Sequence, residues 1–189
     1  MILVIGISGA SGVIYGIRLL EALSRQPDVE IHLVISRAAE VNIRAETDYK
    51  LEDIKTLADY NYAVNDTGAR LASGSFRRDG MIVAPCSVKT MSALANSYND
   101  NLLVRAGDVT LKEGRKLVLL VREMPFHLGH LESMAKLCRM GATIMPPVPA
   151  FYHGPKTIED IISHTVGKVL DTFDIEHNLF TRWSGLEED

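Results

Sequence analysis

The chain has 189 residues, 47% hydrophobic and 23% charged, the balance of one domain with room for a sizeable core rather than a disordered, collagenous or disulfide-scaffold protein. Twenty Lys and Arg against 24 Asp and Glu leave a net charge of -4, so no general attraction to nucleic acid or anionic lipid is expected, although a local basic pocket stays open. Cys86 and Cys138 form no CxxC pair, so neither a metal site nor a disulfide framework is expected, and the cysteine usage suits a reducing, cytoplasmic compartment.

Ile2–Ile7 is an apolar run without a basic start, interrupted by Gly6, Gly9 and Gly12, and reads as a first strand rather than a signal peptide. Val13, Ile17, Leu20 and Leu23 then recur on one face of a helix, with Arg18 and Glu21 pointing away. Further strands are expected at Ile31–Ile35, Met81–Ala84, Leu117–Val121 and Ala142–Met145, continuous rather than alternating, as strands covered on both faces would be. Helices are expected at Ala38–Glu46, Leu51–Ala58, Val88–Asn96, Leu102–Glu113, Leu128–Arg139 and Ile158–Phe173. This alternation predicts an α/β fold with a doubly wound parallel sheet, as a single domain over 1–189 with 174–189 as a C-terminal tail. No apolar run reaches the ~20 residues of a membrane-spanning helix, so a soluble protein is expected. The polar stretch Asn61–Arg78 and the Pro-rich segment from Pro146 to Tyr152 are irregular. Ligand crevices in open α/β sheets lie beyond the carboxyl ends of the strands, so the loops at 8–12, 36–37, 85–90, 122–127 and 146–153 are expected to converge on one site.

Gly6, Gly9 and Gly12 are spaced GxxGxxG, neither the dinucleotide GxGxxG nor a phosphate loop with GKS or GKT. The turn suits either an anion at the helix N-terminus or a tight junction without ligand. In Pro85-Cys86-Ser87-Val88-Lys89-Thr90, Ser87 is placed to cap a helix with Thr90 one turn on, again either a cap or an oxyanion cradle. Cys86 reads as a small buried hydrophobe, having no activating histidine beside it. Arg122 and Glu123 end a strong strand, where charges have no packing reason to be; either Arg122 offers a fork for phosphate and Glu123 an acid or a base, or the two form a surface ion pair at the strand end. His127 and His130 share a helix face at i and i+3 but lack the HExxH pattern and a third ligand, so a structural or surface role is expected rather than a metal site. On spacing alone Glu46, Arg105, Lys112, Tyr152 and Lys168 read as solvated.

Taken together, GISGASGVIYG at 6–16, HLVISRAAE at 32–40, ETD at 46–48, SGSF at 73–76, PCSVKT at 85–90, RAGDVTLKEGRKLVLLVREMP at 105–125, HLGHLESM at 127–134, MPPVPAFYHGP at 145–155 and RW at 182–183 resemble the UbiX family of flavin prenyltransferases, over nearly the whole chain. The resemblance implies a Rossmann-like flavoprotein fold, a dodecamer, and FMN bound between subunits. It implies transfer of the dimethylallyl group of dimethylallyl phosphate to N5 and C6 of reduced FMN without a metal, giving prenylated FMN for a UbiD-type decarboxylase. By matching motif, Gly9, Ala10, Ser11, Ser36, Ser87, Val88, Lys89, Thr90 and Arg122 resemble the FMN site. Arg122, Lys112, Glu123, Tyr152 and Lys168 resemble the group that handles dimethylallyl phosphate, Ser11 and Glu46 a proton relay near flavin N5, and Arg105 and Trp183 positions at the site shared between subunits. Lys168 stands where many members have Arg, replacing a fork by a point charge. The competing readings are an FMN-dependent cysteine decarboxylase of the related fold, whose catalytic histidine and PxMNxxMW segment are missing here, and a non-catalytic FMN-binding partner of a decarboxylase. Four charged groups at 112, 122, 123 and 168 exceed what holding one cofactor phosphate needs.

Overall fold

Strands that are apolar on both faces must be covered on both, and the chain does this by alternating them with helices. The computed structural model describes residues 1–185: β1 (Ile2–Ile7), α1 (Val13–Leu23), β2 (Glu30–Ile35), α2 (Arg37–Glu46), α3 (Leu51–Lys55), β3 (Tyr60–Tyr62), β4 (Gly80–Cys86), α4 (Val88–Ala95), α5 (Leu102–Lys112), β5 (Lys116–Val121), α6 (Leu128–Arg139), β6 (Ala142–Ile144) and α7 (Ile158–Asp171). The six strands form one sheet in the order β3-β2-β1-β4-β5-β6 with every pair parallel, the doubly wound arrangement expected. The strand order reverses between β1 and β4, so the crevice of such a sheet lies beyond their carboxyl ends. Val4, Val34, Met81, Val83, Leu117 and Leu119 belong to one buried cluster with Leu94, Leu103 and Leu137 of the helices. Their strand neighbours Leu3, Ile5, Leu33, Ile82 and Val118, equally buried, point to the other face of the pleat.

Residues 1–146 form one compact unit and the chain from Pro147 onward a second, which contains α7. The tail expected at 174–189 includes four residues, 186–189, that lie outside the described ones. Among the described residues no helix is long and apolar enough to cross a membrane.

Two local expectations shift. The helix expected at Leu51–Ala58 stops at Lys55, and a short edge strand, β3, follows that periodicity did not reveal. Both changes come from contacts with β2. The Asp59 carboxylate accepts the Ile31 N–H at 2.7 Å, and the buried His32 ring stacks on Tyr60 and Tyr62 at 4.8 and 5.8 Å. Three residues are too few to show a strand's alternation.

Gly16 fixes how closely α1 lies on the sheet, because a Cβ there would fall 2.2 Å from the Ala84 carbonyl oxygen, which is backbone and has no side-chain freedom to give way. Gly16→Ala should therefore lower stability by about 1–3 kcal/mol through overpacking, read as a lower urea midpoint at unchanged slope. An unchanged midpoint would show that α1 can lift without loss.

Candidate functional site

The first βα turn is joined to the end of β4 through Ser8, which is 1% exposed. Its N–H and its hydroxyl both donate to the Pro85 carbonyl, at 3.2 and 2.9 Å, and its Oγ accepts the Ser87 N–H at 2.8 Å. Ser87 is thereby set as the cap of α4: its Oγ accepts the Thr90 N–H at 3.2 Å and lies 3.1 Å from the Thr90 hydroxyl. Ser36 caps α2 in the same way, accepting the Ala39 N–H at 3.1 Å. Gly9 lets the turn lie against α2, since a Cβ there would be 2.4 Å from that of Ala38.

These pieces border a cleft of about 460 Å³, within the range of about 300–1,000 Å³ usual for small-molecule sites, onto which the N-termini of α2, α4 and α5 open. Gly9, Ser36, Ser87, Val88, Lys89 and Thr90 line it, as do Arg37, Asn65, Asp100 and Asn101. Lys89 is held by Asp100 at 3.1 Å. Of the five loops expected to converge, those at 8–12, 36–37 and 85–90 supply lining residues. Asn65 enters from the polar stretch between β3 and β4, where no periodicity marks it; the link is long-range, the Leu102 N–H donating to the Val64 carbonyl at 2.8 Å.

Backbone N–H groups at the start of α1 do hold an anion, and it is the chain's own. The Glu46 carboxylate accepts from Gly12 N at 2.7 Å and Val13 N at 3.3 Å. Glu46, which reads as solvated from spacing, thus sits on the turn that carries Ser11. Arg122 leaves β5 beside the cleft, its N–H donating to the Cys86 carbonyl at 3.1 Å and its side chain exposed, while Glu123 accepts the Met124 N–H at 3.0 Å. Burial pushes the Cys86 thiol far up, consistent with a packing role. His127 caps α6, accepting the Gly129 N–H at 3.1 Å, and its ring lies 3.6 Å from that of His130.

Lys112 lies elsewhere on the same unit, at the opposite end of α5 from Arg105, which follows the cleft-lining Leu103 and Val104. Lys112 ends α5 just before β5 begins, and Arg122 follows the other end of β5, across about 17 Å of strand at ~3.3 Å per residue. Along and just past α5 the 70–78 segment is wrapped by cations: Arg105 Nε donates to Ala72 O at 3.1 Å, Arg115 to Phe76 O at 2.8 Å, and Lys112 pairs with Glu113. Beneath them Arg78, not singled out from the sequence, donates to Leu71 O at 3.1 Å and is lowered to about 10, chiefly by burial and then by Arg115.

In the second unit Tyr152 Oη lies 2.7 Å from His164 Nε2, and its ring meets Trp183 edge to face with centroids 6.1 Å apart. Lys168 reaches Asp171 at 3.3 Å. The same carboxylate takes the Arg182 fork at 2.6 and 3.2 Å and lies 3.1 Å from His177 Nε2. Asp171 therefore anchors both Lys168 and the residue preceding Trp183. Spacing gives no sign of this, because its partners come from three different places in the chain.

A family model described as Flavoprotein matches residues 1–170. The flavin prenyltransferase UbiX of Thauera aromatica is 59% identical over 188 residues, covering 100% of this chain and 96% of that protein. The chain belongs to the UbiX family of flavin prenyltransferases. Two solved structures agree with this membership. The dodecameric FMN-dependent Ubix-like decarboxylase from Escherichia coli O157:H7 superposes with a TM-score of 0.96 at 50% identity, over 98% of this chain and 100% of that one. AnUbiX (PadA1), in complex with FMN and dimethylallyl pyrophosphate, gives a TM-score of 0.96 at 48% identity over 98% of each chain.

Within this UbiX-family chain Asp171 carries a testable charge balance. Arg182 first, then Lys168 and His177, hold its carboxyl well below the ordinary aspartate range. A carboxyl depressed in the folded state contributes stability in full above its unfolded pKa of about 4, and that contribution is lost as pH falls through the folded value. Asp171→Asn should thus be less stable than the parent at pH 7, and the gap should close as pH drops below about 4. Parallel stability curves for the two proteins would exclude Asp171 as the anchor.

Proposed function

We propose that this chain transfers the dimethylallyl group of dimethylallyl phosphate to N5 and C6 of reduced FMN, releasing phosphate, and that the prenylated FMN is consumed by a UbiD-type decarboxylase. The observation that carries this is the match, along 98% of both chains, to a structure that holds FMN and dimethylallyl pyrophosphate. The free cysteines, one buried and one exposed, suit the cytoplasmic enzyme proposed.

The donor set at the cleft fits FMN: two capped helix N-termini and the hydroxyls of Ser36, Ser87 and Thr90 suit a phosphate, and Gly9 lines the cleft on the turn that continues into Ala10 and Ser11, assigned to the flavin. Val88 and Lys89 complete that wall, and Arg122 supplies the fork. Bound in reduced form, FMN supplies the nucleophilic positions. Around it the protein binds, orients and moves protons. Cleaving an allylic C–O bond builds charge on the departing phosphate, and Lys112, Arg122 and Lys168 stabilise that charge increasingly as it develops, with Tyr152 as a neutral donor. Glu123 serves as acid or base beside Arg122, and Ser11 with Glu46 relays a proton at flavin N5. Trp183 and Tyr152 offer aromatic surface to positive charge on the allyl group.

Lys112 lies beyond the far end of β5 from Arg122, so its part in this chemistry requires that one copy lend it to the cleft of another; Arg105, one turn along α5 from Asn101, is assigned to the same shared site. The homo-oligomer, a dodecamer in this proposal, is then a condition of catalysis.

The direct test is anaerobic incubation with reduced FMN and either dimethylallyl phosphate or its pyrophosphate, followed by acid release and mass measurement of the flavin. A gain of C5H8 with freed phosphate is expected from the monophosphate. Unchanged flavin from the assembled protein would return it to an FMN carrier or a cysteine decarboxylase. The sharing of sites has its own check. Lys112→Ala and Arg122→Ala chains, each losing about 10-fold or more as a charge-assisted phosphate contact is removed, should regain part of the activity when mixed in one oligomer. Mixtures no more active than the separate variants would place both residues in one copy's site.

A further inference from the structure

We propose that His164 is a positioning residue for the reaction, donating from Nε2–H to the Tyr152 oxygen so that the single proton of the phenol is turned towards the substrate's phosphate. This rests on the role given above to Tyr152.

The two groups lie 2.7 Å apart, and a phenol has one proton to give. Were Tyr152 to donate to His164, that proton would be used within the protein and Tyr152 could only accept from its surroundings, which is useless against an anionic oxygen. With the proton on Nε2 of the imidazole the roles reverse, and the hydroxyl hydrogen is left for the ligand. His164 is 7% exposed and its ring cannot swing away. His153 stacks on it with centroids 4.5 Å apart and planes at 8°, and Phe180 lies 4.7 Å off at a tilt. Burial holds the imidazole below the usual histidine range, with His153 and Lys168 adding to the effect and Asp171 opposing it, so it is neutral near pH 7.

The sequence shows why such a device belongs on this helix. His164 and Lys168 are four residues apart on α7 and so share a face. Fixing Tyr152 to His164 brings the tyrosine, from the irregular segment before α7, to the face that already carries the cation. No spacing rule links 152 to 164, and without the hydrogen bond the half-exposed phenol, 53% accessible, would sample several rotamers. The edge-to-face contact with Trp183 restrains the ring but cannot choose which way the proton points.

The test is a double-mutant cycle on the assembled enzyme, following formation of prenylated FMN as kcat/KM for dimethylallyl phosphate, with FMN affinity measured alongside. His164→Phe keeps the ring and its stacking while removing both nitrogens, and His164→Gln restores an N–H donor close to the Nε2 position. If Tyr152→Phe costs about 10-fold, as loss of one hydrogen bond to a charged group does, His164→Phe should cost nearly as much. The double variant should be no worse than Tyr152→Phe alone, His164→Gln should lie within about 3-fold of the parent, and FMN affinity should be unchanged throughout. Losses that multiply in the double variant overturn the proposal, as does an unimpaired His164→Phe, or a His164→Gln as poor as His164→Phe. An unimpaired Tyr152→Phe would remove Tyr152, and His164 with it, from a reaction that still proceeds. Absence of prenylated FMN from the parent protein would instead overturn prenyl transfer itself and the role of both residues.

Discussion

Everything at the cleft depends on one buried hydroxyl. Ser8 is inaccessible to solvent, and its donor and one acceptor position are both committed to the backbone at the end of β4. A buried N–H such as that of Ser87 costs about 1–3 kcal/mol if left unpaired, so the hydroxyl is confined to one orientation and holds strands β1 and β4 in register at their carboxyl ends. From this single link follow the placement of Ser87 as the cap of α4, the height of the Gly9 turn over α2, and the gap between two helix N-termini. The sheet would bring β1 beside β4 without Ser8, but it would not decide how their outgoing chains cross.

A second constraint comes from the length of β5. Its six residues separate Lys112 and Arg115 from the end that carries Arg122 and Glu123. A strand is rigid along its axis and cannot fold back to bring its ends together. If Lys112 and Arg122 act on one phosphate, they do so from different copies. Under that proposal assembly follows from the chemistry rather than being added to it, and changes at the Lys112 end of one copy would be felt at the cleft of the next.

The parallel sheet was legible because its strands are buried on both faces: continuous runs such as Ile2–Ile7 and Leu117–Val121 have no other use in a chain that alternates them with helices. The crevice was legible for the same reason, through Ser36, Ser87 and the glycines that follow strands. What escaped local reading depends on contacts between residues far apart. Glu46 looked like one more solvated charge on α2, and nothing within ten residues of it shows that its carboxylate reaches the Gly12 and Val13 N–H groups. β3 escaped because its fixing contacts, from Asp59 to Ile31 and from Tyr60 and Tyr62 to His32, cross to another strand. Asp171 and His164 sit on α7 in an ordinary amphipathic pattern, and their partners at 152, 177 and 182 are joined only by the fold. The resemblance to the UbiX family singled out Glu46, Tyr152 and Lys168, which spacing could not do; it did not indicate what holds them.

Asp171 also gives a physical setting for lysine at 168. The Arg182 fork takes both oxygens of the carboxylate, at 2.6 and 3.2 Å, leaving Lys168 a single longer contact of 3.3 Å on one of them. An arginine at 168 would present a second fork to the same two oxygens, and a fork so committed points its donors at the carboxylate rather than outward. Lysine is a compact charge on a flexible stem that can keep one donor on Asp171 and turn the remaining two away. The neighbour one turn back holds a second polar group on the same face: Tyr152 Oη lies 2.7 Å from His164 Nε2, so under the proposed roles a directional neutral donor and a mobile positive charge would stand side by side.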